Sequence, residues 1–177
     1  MTVHWGDALR LDLAGLGANK LVSNLPYNVA TPIVVESLDR LPAVRLWCVM
    51  VQREVADRFF APAGSRAYGA VSVLVQLAAA RTGFHPVSRE VFRPRPNVDS
   101  ALVAFRRIAP GLDRTVKRLV EASFAHRRKT LANSLALSGA APRERAAAAL
   151  EAIGRGARAR AEELTPPEFV ALAAALR

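Results

Sequence analysis

The chain has 177 residues, about half of them apolar (51%), a formal net charge of +10 and a single cysteine. That length allows a buried core in one or two domains, no apolar run is long enough for a membrane span, and one thiol excludes an internal disulfide. The charge points to a polyanionic partner, most simply nucleic acid, and the excess is denser near the C-terminus: residues 1–110 carry 13 basic and 8 acidic side chains, residues 111–177 carry 12 and 7.

Residues 1–108 read as strands alternating with helices. The opening Met1–Asp7 segment has neither the basic nor the apolar region of a secretory signal, so a cytoplasmic protein is expected. A short strand is predicted at Lys20–Ser23 and a helix over Ala30–Asp39. Arg45–Val51 is nearly continuous in apolar residues, as in a strand covered on both faces, and Cys48 within it reads as a buried, inert thiol. Helices are predicted at Glu54–Phe60 and Tyr68–Ala79, and strands at Ala80–Val87 and Asp99–Arg106. The last strand alternates, with Leu102 and Ala104 on one face and Val103 and Phe105 on the other. Strands alternating with helices argue for an α/β layered sheet.

Ile108–Gly111 is the boundary, and 112–177 reads as helical: Leu112–Ala125, Arg128–Leu137, Arg143–Ile153, and a last helix entered through Thr165, Pro166 and Glu168, the residues of a capping box. His4, His85, His126 and Cys48 show no metal-ligand spacing.

Between the first strand and the first helix stands Asn24-Leu25-Pro26-Tyr27. Open α/β sheets bind ligands outside the carboxyl ends of their strands. The Asn24 carboxamide oxygen can accept one hydrogen of an exocyclic amine, and a backbone carbonyl at Leu25 or Pro26 the other. Two acceptors orient the amine and stabilise positive charge developing on nitrogen. Tyr27 offers a surface for an unstacked base, worth ~1–3 kcal/mol. An ordinary turn is the competing reading, since Asn and Pro are common turn residues.

"NLPYNVATPIV" at Asn24–Val34 resembles the signature of the rRNA adenine N6,N6-dimethyltransferase family, KsgA (RsmA) type. The likeness continues through "GDAL" (Gly6–Leu9), "QREVADRF" (Gln52–Phe59), "YGAVSVLVQ" (Tyr68–Gln76), "VFRPRPNVDSALV" (Val91–Val103), "FAHRRKTLANSL" (Phe124–Leu135) and "RAEELTPPEFVALAAAL" (Arg160–Leu176). The resemblance implies a Rossmann-like class I methyltransferase domain over 1–108 and a small all-α RNA-binding domain over 112–177. It implies S-adenosyl-L-methionine as cofactor, met by Asp7, Ala8 and Asn24, with Asp7 accepting from the adenine amine of the cofactor. Asn24, Leu25, Pro26 and Tyr27 are then catalytic, and Tyr27 and Phe92 flank the target adenine, although Phe92 reads equally as a core residue before a loop. Arg93 and Arg95 stand in a proline-stiffened loop that touches RNA backbone or is solvated. Arg127, Arg128 and Lys129 contact RNA, or form a solvated helix face. The implied substrate is a pair of adjacent adenosines in the 3′-terminal hairpin of 16S rRNA, on the immature small ribosomal subunit, modified by an enzyme that is monomeric when complete.

The family's glycine-rich cofactor turn is not among these residues: Gly15-Leu16-Gly17 precedes the Lys20 strand instead of following one. An N-terminally truncated methyltransferase domain is therefore expected, with the Lys20 strand unpaired on one side. The isolated chain is expected to bind S-adenosylmethionine weakly and not to methylate RNA. Two other readings stand beside this one, a macrolide-resistance-type 23S rRNA adenine N6-methyltransferase and a non-catalytic RNA-binding or ribosome-assembly module.

Overall fold

Side-chain alternation along the strands decides how the first unit is layered. The computed structural model describes residues 2–177 and is mixed α/β, with four strands and seven α-helices among the described residues. The chain groups into two compact units, Met1–Ala56 with Ala78–Gly111 and Asp57–Leu77 with Leu112–Arg177.

The first unit holds β1 (Lys20–Asn24), α1 (Ala30–Arg40), β2 (Leu46–Gln52), β3 (Ala79–Val87) and β4 (Ser100–Arg107), in sheet order β1-β2-β4-β3. β1 and β2 run parallel with Asn24 opposite Met50. β4 is antiparallel to both β2 and β3, with Ser100 opposite Gln52 on one side and Val87 on the other. The carboxyl ends of β1 and β2 therefore share one end of the sheet with the start of β4. β1 is an edge strand, as expected from the sequence, and Val22 on it is 78% exposed.

Trp47, Val49, Val51, Val103 and Phe105 are buried and share one face by their register. The Trp47 and Phe105 rings stack at 5.3 Å, and Trp47 Nε1 donates to the Ser37 hydroxyl on α1 (2.9 Å), tying the helix to this face. The opposite face of β2 differs from expectation: Leu46 is 43% exposed and Cys48 and Met50 are half-buried. A continuous apolar run does not distinguish a strand buried on both faces from one buried on a single face, because the period is carried by only three or four residues a side.

Arg107 closes the C-terminal end of α1. Its guanidinium donates to the carbonyls of Val44 (2.7 Å), Leu41 (2.9 Å) and Leu38 (3.0 Å), and more loosely to Ala109 and Pro110, while lying 5.0 Å from the Trp47 ring centre. Leu38 lies in the last turn of the helix and Leu41 caps it, where carbonyls lack intrahelical partners. Burial, and then neighbouring Arg45, lowers the Arg107 pKa from its ordinary value.

The second unit takes the end of α2 (Arg53–Phe59) from Asp57 on and all but the last residue of α3 (Ala70–Ala78), with α4 (Arg114–Phe124), α5 (Leu131–Leu137), α6 (Arg143–Ala152) and α7 (Pro166–Ala175). Residues 57–77, read from the sequence with the N-terminal part, group with these helices. Fully buried Tyr68 shows why: its hydroxyl donates to the Leu164 carbonyl (2.7 Å) and its ring meets Phe124 edge-on, which in turn packs on Phe169. Such pairing across about a hundred residues leaves no local sequence signal. α5 begins at Leu131, after the Thr130 cap, and not at Arg128; Arg127, Arg128 and Lys129 lie in the preceding turn.

At the start of α7, Glu168 Oε2 accepts from the Thr165 N–H (2.7 Å) and hydroxyl (2.8 Å), and its carboxylate receives a bidentate fork from Arg155 (2.7 and 2.9 Å). The Arg155 hydrogen bond first, and then the Thr165 donors, hold the Glu168 carboxyl down at about 2.

Two outcomes follow from these anchors. Arg107→Ala leaves half-buried carbonyls without a donor and is expected to cost about 2–3 kcal/mol in urea unfolding, and Arg107→Lys should recover less than half, since an ammonium cannot fork across three carbonyls. Because the folded Glu168 carboxyl sits below its unfolded value near 4.5, its contribution is complete above that pH and is lost as pH falls toward 2. The difference in melting temperature between the unmodified chain and Glu168→Gln should therefore be largest near neutrality and shrink progressively between pH 5 and pH 2.

Candidate active site

The turn after β1 inherits the strand's alternation. Leu25 is buried, between exposed Asn24 and Pro26, and its N–H donates to the Met50 carbonyl (3.1 Å), carrying the β1–β2 pairing one residue past the strand. The Pro26 carbonyl accepts from the Val29 N–H (3.1 Å), closing a turn that delivers the chain into α1 at Ala30. Among the described residues, neither the Asn24 carboxamide nor the Leu25 carbonyl has a hydrogen-bond partner, so two adjacent acceptors stand open at the carboxyl end of β1. The sequence left the choice between Leu25 and Pro26 open; the turn occupies the Pro26 carbonyl and leaves that of Leu25.

Tyr27 is half-buried and reaches across the end of β2, where its phenol oxygen meets the Ser100 hydroxyl at 2.6 Å. Neither Ser100 nor its neighbour Asp99 was singled out from the sequence. The signal available was a serine opening an alternating strand directly after an acid. Asp99 takes part twice: its backbone carbonyl accepts from Arg53 N–H (3.0 Å) and its side chain from Arg89 N–H (3.0 Å).

Phe92 is half-buried in the loop 88–99 that joins β3 to β4. That loop is tied to itself. Arg89 donates to the Asn97 carbonyl (3.0 Å), Arg93 to the carbonyls of Glu90 (3.0 Å) and Phe92 (2.9 Å), and Arg95 pairs with Glu90 (3.2 Å). The guanidiniums of Arg93 and Arg95, expected on RNA or in solvent, are thus turned onto their own loop.

Asp7 and Ala8 lie in the segment before the sheet. The Asp7 carboxylate accepts from the Leu9 N–H (2.9 Å) and pairs with Arg10 (3.5 Å), while Arg40 on α1 holds the Leu9 carbonyl (2.9 Å). Among the described residues no hydrogen bond joins Asp7 to Asn24. The Asp7 carboxylate is bound within its own turn, and Gly15 and Gly17 stand in a loop ahead of β1 rather than at a strand's carboxyl end. A cleft of about 260 Å³ runs along the outer side of β1, lined by Leu13, Leu16, Val22, Leu41 and Pro42, and does not include Asn24, Pro26 or Tyr27.

In the second unit, Arg127 donates to the Tyr68 carbonyl (3.2 Å), whereas the side chains of Arg128 and Lys129 are exposed and have no ion-pair partner among the described residues. No group of three or more metal-ligating side chains occurs among the described residues, and no described helix is long and apolar enough to cross a membrane.

Known proteins resemble this chain in sequence and in fold. Residues 17–174 match the family described as ribosomal RNA adenine dimethylase. The ribosomal RNA small subunit methyltransferase A of Rubrobacter xylanophilus is 48% identical over 174 residues, covering 96% of this chain and 65% of that protein. The protein of the same name from Leifsonia xyli subsp. xyli is 46% identical, covering 98% of this chain and 64% of its own length. The chain thus spans about 65% of the curated relatives it matches. A crystal structure of a dimethyladenosine transferase from Plasmodium falciparum superposes with a TM-score of 0.73 at 22% identity, covering 87% of this chain and 65% of that one, a likeness of fold. With the match running over nearly its whole length, the chain belongs to the ribosomal RNA adenine dimethylase family.

Proposed function

We propose that this chain presents the target adenine in the N6,N6-dimethylation of small-subunit ribosomal RNA, with S-adenosylmethionine as methyl donor. The observation that carries the reading is the pair of open acceptors, Asn24 carboxamide and Leu25 carbonyl, beside an aromatic ring pinned at the carboxyl end of β1. An unmodified N6 amine has two N–H groups, one for each acceptor. Held so, the amine nitrogen is oriented, and positive charge that would develop on it as it accepts a methyl group would face two oxygen dipoles. Each methylation removes one N–H. The singly methylated amine keeps one hydrogen bond and remains a substrate; the dimethylated amine keeps none, which favours release.

In this reading Tyr27 stacks on the flipped adenine, Phe92 is the second aromatic wall, and residues 1–108 are a portion of the methyltransferase domain. Residues 112–177 form the RNA-binding domain, with Arg127, Arg128 and Lys129 as its phosphate contacts. The open Asn24 carboxamide and Leu25 carbonyl supply the acceptor side of the transfer. The partner is the small-subunit RNA of an immature subunit, in the cytoplasm. The small-subunit names of the relatives support that choice over a 23S target.

The test compares binding of this chain to the 3′-terminal small-subunit hairpin carrying either adenosine or N6,N6-dimethyladenosine. Loss of two net hydrogen bonds predicts about tenfold weaker binding of the dimethylated hairpin. Asn24→Ala should erase most of that preference while leaving the salt-dependent part of binding intact. Equal affinity for the two hairpins, or an equal preference in Asn24→Ala, would overturn the reading; preference for a large-subunit hairpin would move the substrate to 23S RNA.

A further inference from the structure

Five serines are buried among the described residues, and four of them are bound to a backbone carbonyl. Ser37 donates to Val34 (2.7 Å), Ser72 to Arg58 (2.6 Å), Ser123 to Leu119 (2.7 Å) and Ser134 to Ala122 (2.8 Å). Those bonds serve helix turns and helix contacts, and a hydroxyl is buried cheaply when a carbonyl receives it. Ser100 is different. It is fully buried at the first position of β4, and among the described residues its hydroxyl has one partner, the Tyr27 phenol, 73 residues away.

We infer that Ser100 is a positioning residue for the target base, acting through Tyr27. The inference rests on the proposed function and goes beyond it by assigning what fixes the stacking ring. A tyrosine ring turns about two side-chain bonds, and stacking alone restrains its tilt but not its sliding. A hydrogen bond at the phenol oxygen, farthest from the backbone, removes both freedoms. Ser100 is suited to this because its own backbone is held in register from two sides, opposite Gln52 on β2 and Val87 on β3. The preceding residue extends the same joint. Asp99 caps Arg89 at the base of the Phe92 loop and takes the Arg53 N–H through its carbonyl. The Asp99–Ser100 step thus anchors both aromatic-bearing segments to one rigid strand end, which sets the spacing between the two walls around the base.

A merely structural serine would lower stability and weaken all RNA binding alike. A positioning serine changes discrimination at the N6 amine. The experiment measures the affinity ratio of adenosine to N6,N6-dimethyladenosine hairpins for the unmodified chain, Ser100→Ala, Ser100→Thr, Tyr27→Phe and the double variant Tyr27→Phe/Ser100→Ala, with thermal melting of each. Losing one net hydrogen bond predicts that Ser100→Ala lowers the ratio about threefold to fivefold, and that Ser100→Thr restores it. Tyr27→Phe leaves the β4 core untouched and should match Ser100→Ala, with no further loss in the double variant. A ratio undiminished in Ser100→Ala or in Tyr27→Phe, or additive losses in the double variant, would overturn the positioning role and leave the proposed function standing. No discrimination by the unmodified chain would remove the proposed function, and this inference with it.

Discussion

Leu25 is the constraint on which the site depends. It is buried at the end of β1, and its N–H is held by the Met50 carbonyl. Strand side chains alternate in direction, so a buried Leu25 obliges Asn24 and Pro26 to face outward. A slip of one residue would bury the carboxamide and expose the leucine, losing apolar burial and stranding a polar group at once. The register that stabilises the parallel pair therefore also keeps the Asn24 carboxamide and the Leu25 carbonyl unspent. The following turn uses the Pro26 carbonyl and not theirs.

That register is held by elements some distance from it. α1 leaves the turn at Ala30, and its far end is gripped by Arg107 through the carbonyls of Leu38, Leu41 and Val44. One turn earlier, Ser37 links the helix to Trp47, whose ring stacks with Phe105 and lies 5.0 Å from the Arg107 guanidinium. The turn is thus strung between a paired strand and a helix fixed at its far end. A segment so bounded has few local opening routes, so its two open acceptors are held in place. Tyr27 completes the arrangement by fastening the middle of the turn to β4.

Much of this was legible in the sequence because it is locally encoded. Alternation over Asp99–Arg106 and the Asn-x-Pro turn between an apolar run and a helix each depend on a few adjacent residues. The likeness to the family signature rested on the same stretch. What escaped reading depends on distance. Nothing near Tyr68 says that its hydroxyl finds Leu164, so residues 57–77 were read with the sheet. Nothing near Ser100 says that a tyrosine 73 positions earlier ends on its hydroxyl. The start of α5 is local by contrast: the Thr130 hydroxyl accepts from the Asn133 N–H and sets the first turn at Leu131. The Asp7 side chain accepts the N–H two residues on, as a short acid in a turn ordinarily does, a local contact that the sequence alone does not single out.

The charge, too, means less than its total suggests. Arginine supplies most of the +10 excess, and many of these guanidiniums are engaged by backbone carbonyls: Arg40 by Leu9, Arg89 by Asn97, Arg93 by Glu90 and Phe92, Arg107 by α1, Arg127 by Tyr68, and Arg145 by Leu176 and Arg177. A planar fork with five donors closes helix ends and loops in a way an ammonium cannot. Such residues keep their charge and still raise the potential around the molecule, which draws a polyanion in. They are not free to follow a phosphate backbone without first giving up a carbonyl. Arg128 and Lys129, exposed in the turn before α5, carry no such duty among the described residues, whereas their neighbour Arg127 does. The net charge and the set of cations free to make new contacts are therefore different quantities, and the second is smaller than the first suggests.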